Sequence, residues 1–409
     1  MSDDIYVIGV SMTRFGKFLD RSVKSLVAEA VNSALMDAGA KITDIGAAYY
    51  ANTTQGIMDG QLLIRGQVAL RPLGFATIPI VNVENACASG TTALQQAMVC
   101  LKAGVTDVAI AVGVEKMYDD DKVKSNRIFD GGWDVAEADD LMARLTRIGD
   151  GVEIPAGVAS VRSPFMELYA SLTRGHMKAF GTTQRQIATV SAKNHHHSTM
   201  NPLSQYQNDM TVDEVLQARA IQWPLTLPMC APISDGASAV ILCRKEALSR
   251  FPGARPVRLL SCVLTSGSDR EWTDFGQHMC RIAAKQAYDQ ACVGPGDMSV
   301  AEVHDASAFA EIIQTENLGL CEIGQGGWIA ERGETSLGGR IPVNPSGGLE
   351  SKGHPIAATG LAQIYELTQQ LRGTAGRRQV EGARFAIAEN GGGFHGVEEA
   401  AACVTILAA

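Results

Sequence analysis

Two stretches of this 409-residue chain run through the same order of strand and helix signals, and that repetition constrains the fold more than any other feature. In the first stretch, residues 5–10 (IYVIGV) are a short apolar strand. Val23, Leu26, Val27, Ala30, Val31, Ala34 and Leu35 then recur at the spacing of one helix face over 22–38, with Gly39 as the stop. A strand at 47–51, a helix near 60–70 and a strand at 78–83 lead to the segment Asn85-Ala-Cys87-Ala-Ser-Gly90, a helix at about 90–103 and a strand at 107–112. In the second stretch the order is a strand at 257–265, a helix at 276–292, a strand at 300–304, a helix from about 307, and a segment 341–348 leading to His354. A helix at 356–371, a strand at 384–389, three glycines (391–393) and a strand at 401–408 complete it. Such alternation predicts parallel sheets covered by helices, built by an internal duplication about a pseudo-two-fold axis. In sheets of that kind the loops at the carboxyl ends of the strands carry the chemistry. Cys87, His304, His354 and Gly391–Gly393 are all expected at such ends.

The length suits two or three packed units. We divide the chain into an N-terminal half (1–114 with 226–250), an insertion (115–225) and a C-terminal half (251–409). The insertion breaks the alternation and is richer in charge, Met and His, which suits a mostly helical cover over the active face. The chain carries a formal charge of −9 with no sizeable basic cluster, which argues against a nucleic-acid partner. No run of about 18 apolar residues predicts a membrane span. The start, MSDDIYVIGV, lacks the basic and apolar regions of a signal peptide. The nine cysteines are scattered without a CxxC pair, so reduced thiols in a cytoplasmic enzyme are expected, and no zinc ribbon within the chain.

Cys87 sits among small residues directly before a helix. Small neighbours allow close approach of a ligand, and a helix N-terminus favours a thiolate. A lone cysteine is otherwise most simply a small buried residue; the strand–Cys–Gly–helix setting favours the nucleophile. His354, in Gly353-His354-Pro355, is held on a glycine-rich loop where it can act as base or donor, or simply cap the following helix. His304 ends a strand beside Asp305, which is expected to orient it; the alternative is a core histidine. The Gly391–Gly393 turn can aim backbone N–H groups at a thioester oxygen, or be only a tight turn. His195, His196 and His197 point in different directions on a helix, so they are read as pocket wall or solvated groups, and no metal site is expected.

Taken together in this order, the segments resemble the thiolase superfamily over nearly the whole chain. Asn85–Gly90 is similar to its nucleophile loop, Gly353-His354-Pro355 to its GHP motif and Gly391–Gly393 to its C-terminal glycine turn. Lys193-Asn-His195, Pro232–Ala237, His304-Asp305 and Asn344–Gly348 are similar to the sterol-carrier-protein and archaeal-like branch. The resemblance implies an α/β thiolase fold of duplicated, five-layered α-β-α-β-α halves with an inserted loop domain. It implies acyl-CoA and CoA as ligands, with CoA a co-substrate and no covalently bound cofactor, and a homodimer or dimer of dimers. It implies that Cys87 is acylated, that His354 activates it, and that His304 and His354 hold the thioester oxygen. The N–H groups of Cys87 and of a glycine near Gly392 would form a second oxyanion hole. Ser346 and Gly347 are the positions it gives to CoA binding, and it implies a separate zinc-ribbon/OB-fold subunit as a partner.

One departure stands out. The second cysteine of better-known thiolases is replaced by Glu389-Asn390, and the alternative cysteine after His-Asp is Ala306. His304, His354 and Glu389 are therefore the candidates for moving the proton. The expected reaction is cleavage of a 3-oxoacyl-CoA by CoA, with the missing thiol hinting at a bulky aromatic or dicarboxylic substrate of the benzoylsuccinyl-CoA type. A condensing acyltransferase acting on another acceptor, and a non-catalytic scaffold, are the rival readings.

Overall fold

The structure is a computed structural model that describes residues 4–156, 158 and 164–409. Nine strands form one mixed sheet: β1 (Ile5–Met12), β2 (Ala47–Ala51), β3 (Ile80–Val83), β4 (Val108–Glu115), β5 (Gly236–Arg244), β6 (Val257–Ser266), β7 (Val300–Glu302), β8 (Phe385–Gly392) and β9 (Ala401–Ala408). Their order is β3-β2-β4-β5-β1-β6-β9-β8-β7. Only three residue pairs, Ile5–Leu259, Tyr6–Arg258 and Val7–Val257, join β1 to β6, so the sheet divides there into two halves. The order β2-β4-β5-β1 of the first half repeats in the second as β7-β8-β9-β6, with β3 an additional edge strand of the first. β2–β4 and β7–β8 are parallel pairs, whereas β4–β5, β5–β1, β8–β9 and β9–β6 are antiparallel.

The expectation of purely parallel sheets is therefore corrected. In the first half the antiparallel strand is β5, which the alternation did not reveal: it is buried on both faces and reads GASAVILCR, with no half-polar rhythm. In the second half it is β9, a strand expected at 401–408 that follows β8 without a crossover helix and so runs back antiparallel to it.

The helices α1 (Val23–Ala38), α2 (Ser89–Lys102), α3 (Pro164–Phe180), α4 (Gln184–Ser198), α5 (Met279–Ala291), α6 (Ala308–Asn317) and α7 (Thr359–Leu371) cover and separate the halves. Leu94, Met98 and Leu101 of α2 and Leu361, Ile364 and Leu367 of α7 share one core with Val10, Ala111, Ala386 and Leu407 from both half-sheets. α1 packs its Leu26, Ala30 and Ala34 on the outer face of the first half, against Ile8, Ile110 and Ile241. α5 does the same in the second half, with Ala283 and Ala287 against Val404 and Ile406. The result is the five-layer order helix–sheet–helix pair–sheet–helix. The insertion is mainly helical and forms a separate core with α6, in which Leu168, Ile187 and Val215 meet Phe309 and Ile312. Among the described residues, no helix is long and apolar enough to cross a membrane.

Duplication positions the site. α2 and α7 are equivalent helices packed side by side in the central layer. Cys87 lies two residues before the first, His354 five before the second. β7 and β8, neighbours in the second half, bring His304 and the glycines to the same end.

Candidate active site

The backbone around Cys87 is tightly fixed. Ala86 adopts φ +46°, a left-handed conformation that costs a non-glycine residue energy and persists only where the surroundings enforce it. Ser89 does so here: its Oγ accepts from Asn85 N–H at 2.8 Å and donates to Ala86 O at 2.6 Å. Gly392 packs against this loop so closely that a Cβ would lie 2.5 Å from Ala88 N and Asn85 O. The glycine N–H that reaches the Cys87 sulfur is that of Gly393, together with the N–H of Cys87 itself. Gly391 and Gly392 continue β8, and only Gly393, at φ +65°, turns out of it.

One side-chain donor atom each from Cys87, His304 and His354 lies within 4.8 Å of the other two. The imidazoles meet edge to face, with centroids 5.1 Å apart. His354 does not end a strand. It follows a π-helical turn (Gly348–Lys352) and Gly353 at φ +112°, and its N–H donates to Ser234 Oγ at 2.9 Å. Its ring Nδ1 is 2.7 Å from Thr359 Oγ1, which leaves Nε2 as the nitrogen free for the sulfur. The His304 ring is held through Nδ1, 3.1 Å from Asn390 Nδ2.

Asp305 has a different task from the one expected. Its carboxylate accepts from Leu349 N–H at 2.7 Å and from Asn194 Nδ2 at 3.2 Å, pinning the turn that leads to His354. The alternation of β8 explains Glu389 and Asn390. Ala386 and Ala388 face the central layer and Ile387 the outer one, so Asn390 faces inward and Glu389 outward. Glu389 accepts from the backbone N–H of His304 at 3.0 Å and touches Cys280 Sγ at 3.6 Å; it is absent from the cavity wall. Ser346 and Gly347 also lie away from the cavity. Ser346 donates through its N–H and Oγ to Glu302, at 3.0 and 2.7 Å, and the space beside Gly347 is filled by Ser198.

The electrostatics differ from the helix-stabilised thiolate anticipated above. Burial, reinforced by the Glu115 charge, pushes the Cys87 thiol up to about 12, and the two N–H groups only partly offset this. Burial lowers His304 to about 3, and burial holds His354 well below the usual value, with the nearby Lys352 ammonium acting in the same sense. At rest the three groups are a thiol and two neutral imidazoles. Glu115 itself is buried against Asn52, Thr53 and Thr54, accepting from Thr53 N–H at 2.6 Å and Asn52 Nδ2 at 3.1 Å.

A cavity of about 720 Å³ opens beside Cys87 and His354, with Ala306 also on its wall; His304 stands behind them and, like Glu389, does not line it. The insertion supplies much of the rest, including Met117, Phe129, Phe165, Met166 and Met210; Lys17 and Lys122 are its cations. Of the three consecutive histidines, His195 lines the cavity, exposed His196 meets Asp209 at 2.8 Å, and buried His197 bonds Asn344 O at 3.0 Å, so they do not converge. His278, Cys280 and Glu399 form a second close group. There His278 Nδ1 accepts from Cys280 N–H at 3.2 Å, which puts the ring proton on Nε2 toward Glu399. Sequence reasoning missed Thr359, which holds the His354 ring, and Thr91, whose hydroxyl bonds Asn390 Oδ1 behind the His304 ring. Thr359 stands one helical turn after His354, the available signal.

Comparison with known proteins bears on this geometry. Residues 5–222 match the family model "Thiolase, N-terminal domain" and residues 263–408 match "Thiolase C-terminal domain-like". The chain is 39% identical to an acetyl-CoA acetyltransferase of Methanothermobacter thermautotrophicus, over 96% of this chain and 97% of that one. It is 36% identical to sterol carrier protein 2 of Bos taurus, over 94% of this chain and 69% of that protein. It is 31% identical to the benzoylsuccinyl-CoA thiolase subunit BbsB of Thauera aromatica, over 92% and 91%. Among solved structures, an Ltp2-ChsH2(DUF35) aldolase superposes with a TM-score of 0.78 at 21% identity, covering 100% of this chain and 98% of that one. Human mitochondrial 3-ketoacyl-CoA thiolase bound to CoA does so with 0.69 at 14%, covering 99% and 98%.

Proposed function

The chain belongs to the thiolase family, and on that premise we propose that it cleaves 3-oxoacyl-CoA thioesters with CoA through an acyl-enzyme on Cys87. It is an acyltransferase with CoA as co-substrate. The observation that carries the mechanism is the Cys87 sulfur within 4.8 Å of two neutral imidazoles beside a cavity of about 720 Å³.

His354 Nε2 takes the thiol proton as sulfur attacks the 3-keto carbon. The C2–C3 bond breaks, its electron pair forms an enolate thioester, and the two histidines hold the enolate oxygen. The proton on His354 passes to C2, and acetyl-CoA or its substituted equivalent departs. The thiol of a second CoA then gives its proton to His354 and attacks the acyl-enzyme. The tetrahedral oxygen faces the N–H groups of Cys87 and Gly393, each donor of this kind being worth about 2.7–4 kcal/mol. Collapse expels the Cys87 thiolate, which recovers the proton. One shuttle serves both halves, so a second cysteine is not required; Glu389 steadies His304 from behind.

The aromatic and thioether wall supports a bulky, flat acyl group over an acetyl group, and the likeness to a benzoylsuccinyl-CoA thiolase subunit points the same way. Thiolysis rates across acetoacetyl-, straight-chain, dicarboxylic and aryl 3-oxoacyl-CoAs test this. Preference for acetoacetyl-CoA refutes the acyl class, and no thiolysis of any, with transfer to another acceptor, favours the condensing reading.

The reading includes a homodimer paired along β3, an edge strand of the sheet, where Val81 is 42% exposed; Leu62, Leu63 and Ile64 are exposed apolar residues as well. It also includes a separate zinc-ribbon/OB-fold subunit, which zinc analysis of the co-purified complex tests.

A further inference from the structure

The two imidazoles that face Cys87 are held by chemically different partners. Asn390 presents its amide to His304 Nδ1 at 3.1 Å. Which end of the amide faces the ring follows from Thr91. Its hydroxyl lies 2.8 Å from Asn390 Oδ1 and 3.1 Å from Ala88 O. Ala88 O already accepts from Thr92 N–H and Thr92 Oγ1, both at 2.9 Å, which fills its two lone pairs. The Thr91 hydroxyl therefore donates to Asn390 Oδ1, and the NH₂ end must donate to His304. A ring nitrogen that accepts carries no proton, so the His304 proton sits on Nε2.

Thr359 is different. Its hydroxyl is 2.7 Å from His354 Nδ1 and 3.2 Å from Pro355 O. It can donate to the ring or, by rotating toward Pro355 O, accept from it. A hydroxyl thus tolerates either neutral tautomer and the imidazolium, whereas an amide NH₂ tolerates only one neutral tautomer.

We infer that Asn390 and Thr359 are positioning residues that divide the labour of the pair: Asn390 locks His304 as a permanent Nε2–H donor, and Thr359 makes His354 the only proton carrier. The inference deepens the thiolytic reading and rests on it for the roles, though not for the protonation states. It explains how one nucleophile can work without a second cysteine. One imidazole only donates to the enolate oxygen, and the other alone changes its proton count.

The test is ¹⁵N NMR of histidine-labelled whole protein, with His304 assigned by comparison with His304→Gln. His304 is expected with its proton on Nε2 and no titration between about pH 5 and 8. Asn390→Asp keeps the shape and the Thr91 contact but offers only an acceptor, so the proton should move to Nδ1. In thiolysis this variant is expected to lose about 10²–10³-fold in kcat, the effect of one oxyanion donor. Thr359→Val should lose about 10–100-fold, the range found when a hydrogen-bond partner that orients a metal-bound imidazole is removed, with recovery in Thr359→Ser. Alkylation of Cys87 by iodoacetamide should slow more in Thr359→Val than in Asn390→Asp. A His304 proton on Nδ1 in the unmodified protein, or the reverse order of alkylation rates, overturns the inference even if acyl-Cys87 forms. The expected tautomer with no thiolysis of any 3-oxoacyl-CoA leaves the protonation states standing and removes the thiolytic reading.

Discussion

At the scale of single residues, close packing and burial set the chemistry. A Cβ at position 392 would meet main-chain atoms of the nucleophile loop at 2.5 Å, and main chain cannot swing aside as a flexible side chain can. Gly392→Ala should therefore displace Cys87, lowering thiolysis by at least about an order of magnitude and stability by about 1–3 kcal/mol, the usual cost of overpacking. Steady-state rates and urea unfolding read the two effects, and wild-type rates would show that the loop tolerates the shift. Burial also fixes the pH response. It raises Glu389 from 4.5 to about 8 and Glu399 to about 7, each reinforced by neighbouring carboxylate charge. Groups whose native values are raised bind more protons folded than unfolded, so they stabilise at low pH and this contribution is lost as pH climbs through about 7–8. His197, His278 and His304, lowered from 6.5 to about 3, act oppositely; their contribution is present above 6.5 and is lost on acidification. Urea midpoints should peak between these limbs, and Glu399→Gln should flatten the alkaline limb alone; an unchanged alkaline slope would contradict the assignment.

At the scale of elements, the central pair α2 and α7 carries both the core and the site. Leu94 and Leu361 are fully buried where the two helices meet the half-sheets. Replacing either by Ala should cost about 2–5 kcal/mol, measured by chemical denaturation. Element order was largely legible in the sequence because amphipathic helices such as α1 announce their period, and because Cys87, His304 and His354 sit at punctuated element ends. β5 was not, since a strand buried on both faces has no alternation to display. The π-turn before His354 was equally hidden, because its stability comes from distant partners: Asp305 holds Leu349 N–H, and Lys352 Nζ reaches Glu302 at 3.2 Å. Resemblance placed Ser346 and Gly347 at a ligand, whereas folding sealed them into that same support. The outward turn of Glu389 followed from the two-residue period of β8, but only once the faces of that strand were known.

At the scale of the whole molecule, duplication brings together groups more than two hundred positions apart, and the insertion closes over them. The exposed edge β3 is where a second copy is expected to pair. Sedimentation should give a dimer, and Val81→Lys, which places a charge on that edge, should shift it toward monomer; a monomeric wild-type protein would remove the pairing.

The central claim is covalent, and mass spectrometry of the protein mixed with an aryl 3-oxoacyl-CoA in the absence of free CoA tests it most directly. The added acyl mass should reside on the peptide containing Cys87 and disappear when CoA is supplied. Acylation of another cavity cysteine such as Cys230, or no adduct with any 3-oxoacyl-CoA, would contradict the account.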